Sequence, residues 1–462
     1  MKRTLLILII LIFISTASYA VEDEYLDIGL TRPIKSKYSV NLSSGSGFAI
    51  YSEDGRYLGD INETKIKVDF KQGAFTISSN DGFLLHSVNG NFMLSNRSSA
   101  DGIISVGDMS YRAYIKFKSF EGSPVVINRI RLEDYLKGVV PAEIGPSSQE
   151  EALRAQAVAS RSFALANINK MIKKGYNMDD TTACQAYFGT QKEDPRTSKA
   201  VDDTRGIVAR YNGEIANTIF FSTSAGVTEN AADVWGGNLP YLTSVKDPYS
   251  ASSKNFNWEL NLSNTDLQKV LINNKKDVGF INNIKLNINP TSGGVQGVIF
   301  TGDKGQAEIK ATVLRTALGS TKFRSTWFRV GFIPEGDFTT SLPSVDSQDN
   351  DIFMMSSTEK TVDRGDKKFV MGGADSKTIV LVKRTKIHNR NENKIEEPTI
   401  SQLSNITYGS ESYNVSDTIK IVGRGYGHGV GMPQAGARVM AEAGTNYEEI
   451  LKYYFKGVEI GK

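Results

Sequence analysis

The sequence predicts an α+β protein, a β-rich N-terminal region packed on a mixed domain with a central alanine-rich helix. Three observations lead there. Between about Tyr38 and Val126, alternating runs such as KIKVDF, AFTISS and RAYIKF are separated by Gly, Asn and Asp, the pattern of short strands. From Ser147 onward the alternation gives way to a long stretch of small residues at helical length (Ala152, Ala155, Ala157, Ala159, Ser160, Ser162, Ala164, Ala166). Near the C-terminus, strand and helix patterns flank a glycine-dense turn, GRGYGHGVGMPQAGA, with six Gly between Gly423 and Gly436.

In chain order, the first residues read as an export signal. Lys2 and Arg3 form a basic start, Leu5–Ile14 an apolar core, and Ser18-Tyr19-Ala20 a small-x-small cleavage site after Ala20. That core is far shorter than the ~20 apolar residues a spanning helix needs. The expected location is therefore outside the cytoplasmic membrane, with at most peripheral membrane contact. A single cysteine, Cys184, excludes an internal disulfide, so stability must come from packing. The 462-residue chain carries 54 Lys and Arg against 51 Asp and Glu, a net charge of +3. Such a balance offers no electrostatic case for nucleic acid as a partner.

The run VVINRI (Val125–Ile130) feeds directly into Arg131–Asn167, the stretch around which the chain is organised. Within it, Tyr135–Val140 reads as a strand and Pro141 as a break. Glu143 then stands just before a helix for which Ser147/Glu150 and Ser148/Glu151 offer two capping-box registers. The pattern Lys173-Lys174-Gly175 reads as that helix's end. A helix with small residues on every face is a buried one, and Gln156 and Arg161 inside it need partners or a wet cleft. Further on, Thr197–Thr204 reads as helix, Gly206–Tyr211 and Ile215–Phe221 as strands. The Ser/Thr/Gly-rich FFSTSAGVTENAADVWGGNLPYLTSVKDPY reads as a site-lining loop. Leu267–Ile272 reads as helix; Ile284–Asn289, Gly297–Thr301 and Ala307–Ala311 read as strands. From Pro334 to about Asp417, Ser, Asp, Lys and Asn dominate, an insertion with one clear strand at Thr378–Val382. At the end, Pro433 suits a helix start, Gly444 a stop, Thr445 and Glu448 a last cap, and Gly457 precedes a final strand.

Among chemical candidates, Glu143 lies between Val139, Val140, Pro141, Ala142 and Ile144, an apolar setting that raises a carboxyl pKa as a general acid requires. The alternative is a structural glutamate at a helix entry. His428 in the glycine turn is either a hydrogen-bonded structural histidine or a substrate contact. Ser222 or Ser224 with His428, or Cys184 with His428, are conceivable nucleophile pairs, although GxSxG is absent. No pair among His86, His388, His428 and Cys184 has metal-ligand spacing, and the glycine turn lacks the features of a nucleotide loop. No metal and no cofactor is expected.

At LEDYLKGVVPAEIGPSSQEEALRAQAVASRSFAL, TTACQAYFG, FFSTSAGVTENAADVWGGNLPYLTSVKDP, STWF and GRGYGHGVGMPQAGARVMA, the chain resembles the SpoIID/LytB family of lytic transglycosylases and amidase enhancers. The motifs span Val125–Trp327 and Ile419–Ile460 in the family's order. The resemblance implies residues 21–124 as a β-rich region, 125–333 and 418–462 as a SpoIID-like catalytic domain, and 334–417 as an insertion. It implies a wall enzyme acting on glycan strands stripped of peptide stems, with Glu143 as the catalytic acid/base. Gln156, Arg161, Ser222, Ser224, Glu229, Trp235, His428 and Gln434 fall in the shared motifs and are expected to line the groove. Trp235 either stacks on a sugar or packs in a core. Peptidoglycan glycan strands are the implied partner. A non-catalytic protein that binds glycan or a cell-wall amidase and stimulates it is the alternative. Departures are Ala183, where family members commonly carry His before the Cys, and Ala225-Gly226 in place of a Gly pair.

Overall fold

In Lys65–Lys71 and Ala74–Ser79 buried residues alternate with half-buried or exposed ones, so each segment buries one face as a strand. The same alternation builds two antiparallel-rich sheets from the N-terminal region. One has seven strands, running from Met178–Asp179 through Tyr25–Gly29, Ser123–Arg131, Tyr114–Phe120, Phe92–Asn96 and Phe48–Ser52 to Tyr57–Ile61. The other has six, from Met109–Arg112 to Leu84–Val88. Phe75 of the second sheet meets Phe92 and Phe117 of the first at ring-centroid separations of 5.5 and 6.0 Å. The sheets therefore pack face to face. This computed structural model describes residues 24–237, 239–331 and 410–462, together with three short strands between 352 and 382. The stretch read as an export signal and most of the insertion, His388 included, lie outside the described residues, though the strand expected at Thr378–Val382 is present.

The last N-terminal strand, Ser123–Arg131, runs without a linker into helix α1 (Leu132–Glu143). Here the structure corrects the sequence reading, which took Tyr135–Val140 as a strand. Leu132, Leu136, Val139 and Val140 are fully buried at helical spacing, and that stripe outweighs the β-preference of two adjacent valines. Pro141 sits in the last turn, where it ends the helix within a few residues. One hydrophobic core runs from Leu26 and Phe92 through Tyr135 and Leu136 to Leu153 and Val201, joining the N-terminal sheets to the helices.

Helix α2 (Glu150–Ala166) has twelve buried residues, and its alanines let α3 (Pro195–Asp203), α7 (Gln434–Glu442) and α8 (Tyr447–Tyr454) approach closely. Neither predicted capping box forms. Gln149 is the N-cap and makes no side-chain cap bond. The Ser148 hydroxyl instead donates to the Ile144 carbonyl and accepts from Arg438 Nε, a tertiary partner that displaces the local cap. Asn167 caps the helix end by donating to the Phe163 carbonyl, so Lys173-Lys174-Gly175 closes a separate 3-10 turn. Likewise Asn446 and Glu449, one residue beyond the predicted pair, form the capping box of α8.

A second core lies between strands that are distant in sequence. Thr418–Arg424 pairs along Asn257–Ser263 and Phe328–Val330, while Ser410–Asn414, which the sequence reading leaves in the insertion, pairs along Ile281–Ile288. Helices α5 (Asn264–Asn273) and α6 (Ala311–Leu318) cover these sheets. The long loop between the two parts carries one short helix, α4 (Ala231–Trp235). Among the described residues no helix is long and apolar enough to cross a membrane.

Candidate active site

Glu143 is the last residue of α1, not a residue preceding α2. At a helix C-terminus the unsatisfied carbonyls disfavour a negative charge. Burial raises its carboxyl pKa, and the Ala186 N–H, the Gln434 side chain and the Arg32 charge act in the opposite direction. The Ala186 N–H donates to Glu143 Oε1 at 2.7 Å. Among the described residues, none of the groups that shift the Glu143 pKa is a second carboxylate.

Behind Glu143 lies a chain of buried polar groups. Gln434 Nε2 donates to Gln156 Oε1 at 3.4 Å, and Gln156 Nε2 donates to Ser160 Oγ at 3.0 Å. Gln185 Nε2 donates to the Ser160 carbonyl and accepts from the Tyr135 hydroxyl at 3.3 Å. Gln156, Ser160, Gln185 and Tyr135 are fully buried, so this network holds Gln434 and the 183–187 loop around the carboxylate. Gln156 thus acts on the site through Gln434 and does not line an open groove.

The short parallel pair Phe220–Phe221 with Met432–Pro433 brings the two remaining motifs to this face. Ser222 follows one strand and Gln434 the other, and the Ala435 N–H donates to the Ser222 carbonyl. The His428 ring packs against Phe221 at 5.4 Å and against Trp235 at 5.1 Å. Trp235 is 51% exposed, which settles the choice between a core tryptophan and a surface one. Burial first, then the Arg315 charge, lowers the His428 pKa to about 4. Its Nδ1 accepts from the Val430 N–H, the arrangement of a neutral ring in place and not a general base poised near neutrality.

Two expected groove residues point inward instead. Arg161 is fully buried and holds Glu133 through two 2.7 Å bonds, its other N–H groups reaching the Ile207 and Val201 carbonyls. Ser224 donates to the fully buried Asp247, which also accepts from Ser250 and Tyr454. Among the described residues, no serine or cysteine is bonded to His428, and burial pushes the Cys184 thiol up. Those arrangements weigh against the nucleophile pairs. Arg32 and Lys170, which sequence reasoning missed, border the face. Arg32 lies over the Phe188 ring at 4.3 Å, and Lys170 donates to the Ala183 carbonyl. Nothing in the sequence links Arg32 to the site, because its anchor, Asp180, is 148 residues away.

Glu229 turns away from this face. Its N–H donates to the Gly429 carbonyl, but its carboxyl enters a cavity bordered by Asp233 and Val234 of α4, where Ser292 Oγ donates to Oε2. Burial pushes its pKa up to about 7. The stability this adds is therefore fully present below the unfolded value of 4.5 and lost as pH rises through about 7. The shift is worth on the order of 3 kcal/mol. His428 has the opposite sign, with stability present above 6.5 and lost as pH falls through about 4. Urea titrations of wild type and Glu229→Gln from pH 4.5 to 8 should separate them. The variant is expected to gain stability relative to wild type as pH rises, and a difference that stays flat would refute the Glu229 assignment.

Residues 121–211, from the last N-terminal strand through the strand after α3, match the family model described as Stage II sporulation protein. The chain is 26% identical over 441 residues to an uncharacterized protein of Brachyspira hyodysenteriae, covering 92% of this chain and 90% of that one. To the amidase enhancer of Bacillus subtilis it is 27% identical over 325 residues, covering 70% of this chain but 40% of the relative. To stage II sporulation protein D of the same organism it is 25% identical over 356 residues, 73% of this chain and 76% of that protein. The resemblance read from the motifs is borne out: the chain is similar to both branches of that group.

Proposed function

We propose that this chain is an exported lytic transglycosylase that cleaves peptidoglycan glycan strands, preferentially stripped of peptide stems, with Glu143 as general acid and then base. A cell-wall-related role accords with its similarity to a stage II sporulation protein and an amidase enhancer. The observation that carries the finer reading is a buried carboxyl of raised pKa, oriented by Ala186 and Gln434 on a face that continues to His428 and an exposed tryptophan. Protonated Glu143 donates to the glycosidic oxygen as the bond from C1 of muramic acid breaks. The resulting carboxylate takes the proton of the same sugar's C6 hydroxyl, whose oxygen closes on C1. The product is a 1,6-anhydro end, and Glu143 is returned protonated with no water consumed. One carboxyl suffices for this route, whereas a hydrolytic glycosidase needs two at a defined separation.

Similarity to an amidase enhancer over 70% of the chain favours a second reading, a non-catalytic protein that binds glycan or an amidase. Mass spectrometry of denuded strands incubated with the full chain separates the two. Fragments one water lighter than hydrolytic ends are expected. Intact strands, with a cell-wall amidase accelerated by the protein, would overturn the enzyme and leave the enhancer.

A further inference from the structure

The cavity that Glu229 enters has a volume of about 340 Å³ and lies at the seam between α4 and the sheet of the second core. The loop side supplies Glu229 and Asp233, and the sheet side Asn287, Gln296, Glu308 and Lys310. Glu229 is only 7% exposed, and of its two carboxyl oxygens Oε2 is held by Ser292 while Oε1 meets no donor among the described residues. That oxygen comes within 2.0 Å of where a Cβ on Gly294 would stand, so the wall is kept bare for it. On the other side Gly429 is equally constrained, since a Cβ there would lie 2.7 Å from Glu229 Cγ. Residue 429 adjoins His428 in sequence, and Asp233 shares α4 with Trp235, so the two segments that carry His428 and Trp235 also border this cavity.

We infer that this cavity is a second saccharide subsite, which takes an uncharged N-acetylhexosamine of the glycan strand away from the cleaved bond. The inference rests on the glycan reading above. Its size lies at the small end of ligand pockets, with room for one sugar ring and its substituents. Gln296, and Asn287 beyond the N–H that it donates to Glu308 at 2.9 Å, offer amide donors and acceptors to hydroxyl and acetamide groups, as carbohydrate recognition requires. Asp233 and Glu308 face one lysine, and Glu229 adds a further negative charge as pH rises through about 7, a balance that repels a carboxylate. The lactyl-bearing muramic acid is therefore disfavoured and the neutral hexosamine of the repeat selected.

The test uses an N-acetylglucosamine tetramer, which carries no muramic acid, titrated calorimetrically into the full chain. Wild type and Glu143→Gln should bind it alike. Gln296→Trp, which fills the cavity from an exposed rim position, and Glu308→Ala, also exposed, should each weaken binding about tenfold or more, with unfolding midpoints checked alongside. Tetramer affinity unchanged in both folded cavity variants, or no binding to wild type, would overturn the subsite. Loss of the anhydro product from wild-type digests with tetramer binding intact would instead sink the transglycosylase and leave the subsite standing.

Discussion

Glu143→Gln is expected to lower the rate of glycan cleavage by on the order of 10²- to 10⁴-fold while leaving strand affinity nearly unchanged. The amide is isosteric with the carboxylate and its oxygen can still accept from the Ala186 N–H, so the 183–187 loop keeps its anchor. What it cannot do is give up a proton to a leaving oxygen or take one from a hydroxyl. A rate loss confined to kcat is thus the signature of the proposed role, and a loss confined to KM would contradict it. The pH profile supplies a second readout. The acid must be protonated, so activity falls as pH rises through the folded pKa, which burial has raised. Gln434 opposes that rise through its hydrogen bond to the carboxylate. Gln434→Ala should therefore move the alkaline limb to higher pH, a shift that a purely structural role for Gln434 would not produce.

That residues so far apart could be named from sequence, and others could not, has a physical cause. Glu143, Gln434, Ser222, Trp235 and His428 lie in Gly-, Ser- and Pro-rich stretches whose turn chemistry marks them as more than core elements. Helix α2 was legible because its composition suits burial on all sides. Helix α1 was not, because Val139-Val140-Pro141 imitates a strand end locally while the buried stripe that decides the matter has a helical period. The second core was invisible for a different reason. Its central strand, Thr418–Arg424, pairs with Asn257–Ser263 across a long intervening stretch, and no local pattern encodes that register. Cap positions failed by single residues where a tertiary partner, such as Arg438 at Ser148, took the cap side chain. The inward turn of Arg161 was half legible: the sequence demanded a buried partner or a wet cleft for it but named no partner, and the structure supplies Glu133.

Arg161→Ala is accordingly expected to destabilise the fold by about 3–5 kcal/mol, far more than a groove residue would. The substitution leaves Glu133, itself 2% exposed, as a buried carboxylate without its cation and takes one donor from each of the Val201 and Ile207 carbonyls. Ion pairing of this kind is costly to bury and costlier to halve, so the pair should be tested as a unit. Glu133→Leu combined with Arg161→Met removes both charges while keeping volume, and should recover much of the loss of the single variant. Urea unfolding of the two singles and the double forms the cycle, and the expected result is strong non-additivity. Additive losses, or a stable Arg161→Ala protein that has lost only glycan binding, would return Arg161 to the groove. The same experiment bears on the active site. Glu133 and Arg161 clamp α1 to α2, and α1 carries Glu143 at its end while α2 carries Gln156 behind Gln434. A loosened clamp would shift the carboxylate relative to the amide that tunes it, so the double variant should fold well yet show an altered pH profile of cleavage.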